Sequence, residues 1–180
     1  MTKIAAVLAA LATLAFPASA FGELPAGSKA PMFSTQGALA GKGYAFNLQA
    51  ALRKGPVVLY FYPKAFTHGC TLETKAFADA HDEFAAAGAT VIGMSADDLD
   101  LLKRFSTEAC RDKFAVATAS PAIIDAYDVA LELEGKASGM ADRVSYVIGQ
   151  DGRIAFVHSD MDYRDHVRLT LAAVKRLAAK

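Results

Sequence analysis

Two side chains in this sequence are suited to nucleophilic redox chemistry, Cys70 and Cys110, the only cysteines among 180 residues. Cys70 closes the run Tyr62-Pro63-Lys64-Ala65-Phe66-Thr67-His68-Gly69-Cys70, where an apolar stretch gives way to a segment of helical period. A thiol at a helix start faces unpaired backbone N–H groups and the positive end of the helix dipole, which favours an anionic sulfur. An ordinary cysteine is only about 3% thiolate at pH 7, so such a position can multiply the nucleophile about thirtyfold. The competing reading is an inert core cysteine, a common use of this residue. Gly69 and Thr67 beside it, and its place after a central strand where α/β sheets carry their sites, favour chemistry. His68, two residues before the sulfur, would favour a thiolate further if it were cationic.

The elements that must position Cys70 are legible from period. Residues 57–62 form an unbroken β-branched and aromatic run between Pro56 and Pro63, as in a strand covered on both faces. Leu72, Ala76, Ala80 and Phe84, with Phe77 beside them, predict a helix of about four turns opened by Cys70, with Glu73, Lys75, Asp79, Asp82 and Glu83 mostly on other faces. Residues 90–94 read as a second buried strand, and Leu99, Leu102, Phe105 and Ala109 trace a helix across 97–112 that carries Cys110 near its end. A short helix is expected at 121–127, then a loop at 130–142 suggested by Gly135 and Gly139. Residues 143–148 and 153–157 form a hairpin around Gln150-Asp151-Gly152, and 164–179 a closing helix with Val167, Leu171, Val174 and Ala178 inward. Glycine-rich 37–43 reads as a turn. The order is that of a single α/β domain.

Composition excludes several classes. The 19 basic and 19 acidic residues cancel, no basic stripe interleaves with aromatics, and no glycine-rich phosphate loop follows a strand, so nothing suggests a nucleic-acid partner. His81, His158 and His166 lack metal-site spacing and read as solvated or core residues; no metal or cofactor is implied. At the N-terminus, Lys3, the apolar stretch 4–16 and Pro17-Ala18-Ser19-Ala20 have the pattern of a signal peptide cleaved after Ala20. The expected mature chain, 21–180, is one domain, free of the membrane and exported, in a bacterium to the periplasm, where disulfides persist. A retained membrane anchor is the competing reading, against which the stretch is short for a bilayer.

Pro63, Thr67 and Cys70 reproduce the Pro-x-x-x-Thr-x-x-Cys motif of peroxiredoxins, with Glu73 and Arg143 as further matches. The resemblance runs from about Leu24 to the C-terminus and is closest to the peroxiredoxin Q, or bacterioferritin comigratory protein, subgroup. It implies a thioredoxin-like fold, a mixed sheet flanked by helices, and a peroxidase acting on hydrogen peroxide and organic hydroperoxides. By resemblance, the Cys70 thiolate attacks the distal peroxide oxygen and becomes a sulfenic acid. Thr67 would hydrogen-bond the peroxide, Arg143 would stabilise thiolate and leaving oxygen, Pro63 would shield the pocket and Glu73 would orient Arg143. Without the resemblance, Glu73 is a first-turn helix acid and Arg143 a surface charge at a strand start.

The resolving cysteine that many peroxiredoxin Q proteins carry five residues on is here Lys75, which leaves Cys110 as the candidate. An intramolecular Cys70–Cys110 disulfide would then require both helix segments to loosen, and would favour a monomer over an obligate dimer. Cys110 as a free core cysteine, or as half of a permanent disulfide, stays open. The implied reductant is a thioredoxin-like dithiol protein. The family's acidic residue before Phe33 is replaced by Met32, and the spacing to Cys110 is longer than the subgroup's. The alternative function is a non-catalytic exported binding or holdase module stapled by the two cysteines; a disulfide oxidoreductase is disfavoured by the lack of a Cys-x-x-Cys pair.

Overall fold

Strand formation begins with a hairpin, Ser34–Leu39 and Lys42–Asn47, across the glycine-rich 37–43 where the sequence predicts only a turn. The computed structural model, which describes residues 23–179, has β1 (Ser34–Leu39) and β2 (Lys42–Asn47) paired antiparallel in register Leu39↔Lys42. Ala40 and Gly41, at φ 50° and 74°, make the tight turn between them, both in the left-handed region that two-residue hairpin loops require. Only these two residues of 37–43 form the turn; Gly37 and Gly43 lie within the strands. The expected signal-peptide cleavage after Ala20 lies outside the described residues.

The remaining elements follow as α1 (Leu48–Leu52), β3 (Val57–Phe61), α2 (His68–Asp79), α3 (His81–Ala86), β4 (Thr90–Ser95), α4 (Leu99–Glu108), β5 (Ala115–Thr118), α5 (Pro121–Ala126), β6 (Ala130–Leu133), β7 (Lys136–Ala141), β8 (Val144–Ile148), β9 (Ile154–Ser159) and α6 (His166–Ala178). The main sheet is mixed, in the order β2-β1-β5-β4-β3-β8-β9. β3 lies at its heart, parallel to β4 and antiparallel to β8, and is buried at every residue. Because successive side chains point to opposite faces, β3 supplies two cores at once. Val57, Leu59 and Phe61 face the side covered by α1 and α5; Val58 and Tyr60 face the side covered by α2, α3, α4 and α6. This is the thioredoxin-like architecture expected from the sequence.

Three local expectations are corrected. The segment 130–142 is a hairpin of β6 and β7, closed by Glu134 and Gly135 at φ 52° and 73°, rather than a loop. The helix after Cys70 is interrupted at Ala80, where α2 ends and α3 begins. Its buried face carries Cys70, Glu73, Thr74, Phe77 and Ala78, a rotation away from the apolar stripe that places an acid, Glu73, in the core. In α6, Val174 is inward as expected, but polar His166 and Thr170 share that buried face while Ala178 is exposed. Among the described residues, no helix is long and apolar enough to cross a membrane and no His/Cys/Asp/Glu cluster could hold a metal ion.

Candidate active site

Cys70 occupies the first turn of α2, where β3 leaves the sheet. The first intrahelical bond runs from the Thr71 N–H to the Thr67 carbonyl at 2.9 Å, so the N–H groups of His68, Gly69 and Cys70 precede the helical ladder. Between β3 and α2 the chain is held by Asp97, whose Oδ2 accepts from the Ala65 N–H at 2.7 Å and from the Ser95 hydroxyl at 2.9 Å. Phe66 is forced to φ 64° in this loop, a conformation that costs an aromatic residue about 1–3 kcal/mol. Thr67 turns its hydroxyl to the Lys64 carbonyl at 2.9 Å instead of capping the helix, which leaves the oxygen's lone pairs free to accept. Thr67 is exposed and Pro63 half-buried beside it, whereas Cys70 is 1% exposed.

Arg143 lies immediately before β8, not within it, and is buried. Its three nitrogens have three different partners. Nη2 lies 3.4 Å from the Cys70 sulfur, Nη1 pairs with Glu73 Oε2, and Nε donates to the Met161 carbonyl at 3.0 Å. A fork fixed at two ends holds its third donor on the sulfur without searching rotamers. Gly69 permits the approach, since a Cβ there would sit 3.3 Å from Nη2. Burial works against the guanidinium's charge, but Glu73 and Cys70 outweigh it and hold Arg143 above its ordinary range. Burial likewise pushes the Glu73 carboxyl up, against the pull of the Arg143 guanidinium it contacts.

The site thus brings Cys70, Glu73 and Arg143 into contact, with Thr67 and Pro63 on the loop beside them. Cys110 stands apart from this polar cluster. It lies beyond the end of α4 and is fully buried, in the same apolar cluster as Tyr62, Phe105 and Cys70. Both cysteines are free. Burial drives the Cys110 thiol far above its ordinary range, with Asp112 adding to the effect. His68, by contrast with its expected part, is exposed. The histidine at the site is His166, whose Nδ1 is 3.6 Å from Glu73 Oε1; its only trace in the sequence was a polar residue at the start of the closing helix.

Comparison with known proteins gives the family and the fold. Residues 26–157 match the AhpC/TSA family. The chain belongs to that family. It is 32% identical to peroxiredoxin Bcp of Escherichia coli (strain K12) over 124 residues, covering 68% of this chain and 80% of that one. It is 30% identical to the chloroplastic peroxiredoxin Q of Oryza sativa subsp. japonica over 157 residues, covering 87% and 69%. Among solved structures, peroxidoxin BcpB from Mycobacterium tuberculosis superposes with a TM-score of 0.74 at 29% identity, covering 84% of this chain and 97% of that one. The Xanthomonas campestris bacterioferritin comigratory protein follows with a TM-score of 0.70 at 29% identity, covering 79% and 91%. The chain is a peroxiredoxin-type peroxidase, an oxidoreductase.

Proposed function

We propose that this AhpC/TSA family member reduces hydrogen peroxide and organic hydroperoxides with Cys70 as the attacking thiolate and Cys110 as the resolving cysteine. The observation that carries the reading is the buried Arg143 fork, with one nitrogen on Glu73 and another 3.4 Å from the Cys70 sulfur. The thiolate attacks the distal oxygen of the peroxide; the S–O bond forms, the O–O bond breaks, and the leaving oxygen takes a proton to give water or an alcohol. Arg143 stabilises the charge that shifts from sulfur to the leaving oxygen, and the open lone pairs of Thr67 accept the peroxide O–H. Pro63 narrows access from solvent. Activity toward organic hydroperoxides is supported by the alkyl peroxide reduction activity of the similar Xanthomonas campestris protein.

In the second half-reaction the Cys110 sulfur attacks the sulfenic sulfur of Cys70; the S–S bond forms and the hydroxyl leaves as water. Cys110 must first leave its apolar surroundings. The segment that holds it supports such an opening: the next two residues, Arg111 and Asp112, both take left-handed φ, 50° and 61°, at about 1–3 kcal/mol each. An intramolecular pair suits a monomer. A dithiol protein of thioredoxin type then restores both thiols, and, with the N-terminal leader pattern, we place this cycle outside the cytoplasm with an exported donor. Peroxide consumption by the reduced Cys70→Ser variant tests the assignment: it is abolished if Cys70 is the nucleophile, and parental consumption would refute it.

A further inference from the structure

The imidazole of His166 lies against Glu73 and against the Asp160–Met161 segment, which carry the two fixed partners of Arg143. It is fully buried at the start of α6. Nε2 is 2.9 Å from the Asp160 carbonyl, which can only accept, so Nε2 carries the proton. Nδ1 is then free to accept the Ser145 hydroxyl at 2.8 Å. Asp160 directly precedes Met161, whose carbonyl takes Arg143 Nε, and the Asp160 N–H itself donates to the Arg143 carbonyl at 3.3 Å. On its other side, Nδ1 is 3.6 Å from Glu73 Oε1, the oxygen that Arg143 leaves without a partner. His166 therefore abuts the carboxylate that fixes Nη1 and ties down the segment that fixes Nε.

We propose that His166 is a positioning residue of the peroxide-reducing site: by holding the 160–161 segment and backing Glu73, it sets the distance between Arg143 Nη2 and the Cys70 sulfur. It does not touch substrate. The imidazole is faced by Glu73 from α2, by Arg143 ahead of β8, by His158 of β9 with ring centroids 4.5 Å apart, and by Asp160 and Asp162 from the loop before α6. Surrounded in this way, with both nitrogens engaged, a neutral ring keeps a single tautomer and orientation.

The inference rests on Cys70 being the nucleophile, and its test separates the two. Reduced parent, His166→Phe, His166→Gln, Ser145→Ala and Cys70→Ser are mixed with hydrogen peroxide, and the single-turnover rate is followed across pH together with ultraviolet thiolate absorbance. His166→Phe keeps a ring but neither hydrogen bond, and should slow the reaction about tenfold and lower the thiolate signal at neutral pH. His166→Gln, whose amide reaches the Asp160 carbonyl, should recover most of the rate. Parental rate and thiolate signal in folded His166→Phe would overturn the proposal, as would equal impairment of the Phe and Gln variants, which would mean packing alone. Should His166→Phe fail to fold, Ser145→Ala decides: a weaker loss of rate and thiolate supports the proposal, and parental behaviour refutes it. Consumption surviving in Cys70→Ser would instead sink the underlying assignment.

Discussion

Cys70 and Cys110 are both buried on one side of the sheet, within one apolar cluster, yet their surroundings prepare them for opposite fates. At Cys70 a helix start and a guanidinium anchored on two other groups aim positive charge at the sulfur. Around Cys110 burial alone dominates, and its thiol is held protonated. In the cycle we propose, the first site works as folded. The second, in that cycle, becomes a nucleophile only when its segment opens, which the left-handed Arg111 and Asp112 would favour. An anchored site at one sulfur and a buried thiol at the other divide the proposed turnover into a fast step and a gated one.

The largest break in this contrast is removal of the cation. Arg143→Ala should lower the rate of peroxide reduction by about 10²–10³-fold, read in stopped flow, while leaving the environment of Cys110 untouched. Next is the group that holds the cation. Glu73→Ala strands a buried guanidinium and should cost about 3–5 kcal/mol in denaturant unfolding, with Glu73→Gln costing less because its amide oxygen still accepts.

Acid probes the same cluster through His166, whose burial holds it at about 4, below its ordinary 6.5. The unfolded chain binds that proton first, so stability is lost as pH falls from about 6.5 toward 4, by up to roughly 3 kcal/mol. The stability advantage of the parent over His166→Gln should therefore shrink across this window, as thermal melts would record. On the other side of the comparison, Arg111→Gly relieves one left-handed residue and should slow disulfide closure a few-fold after peroxide, with closure followed by thiol trapping. Unchanged closure would mean that the strained segment does not gate Cys110. The smallest effect is expected from Gly69→Ala, whose methyl would meet Nη2 at 3.3 Å and should slow the peroxide step by a few-fold at most.

What was legible in the sequence was whatever a local pattern encodes. The buried run of β3, the strand of β4 and the β8–β9 hairpin need only neighbours along the chain, and all three reappear in place. The hairpin of β6 and β7 was missed because Gly135 and Gly139 read as loop residues, although Leu131-Glu132-Leu133-Glu134 alternates and Glu134-Gly135 was an available turn signal. The buried face of α2 was misjudged because Glu73 looks like a surface acid until Arg143, 70 residues away, neutralises it in the fold. His166 was passed over for the same reason. Its partners Ser145 and Asp160 lie on other elements, and no spacing within α6 announces them. His68 drew notice by sequence proximity, yet it points to solvent, since adjacency along the chain does not determine which face of a first turn a side chain takes.

Whether Cys70 is the sulfur equipped to meet peroxide is tested by intact mass with peptide mapping of reduced protein after a stoichiometric dose of hydrogen peroxide. Expected are loss of two hydrogens in the parent through a Cys70–Cys110 bond, a single oxygen on Cys70 in Cys110→Ser, and no rapid change in Cys70→Ser. Rapid oxidation of Cys110 in the absence of Cys70, or a parent that leaves peroxide untouched, would contradict that role for Cys70.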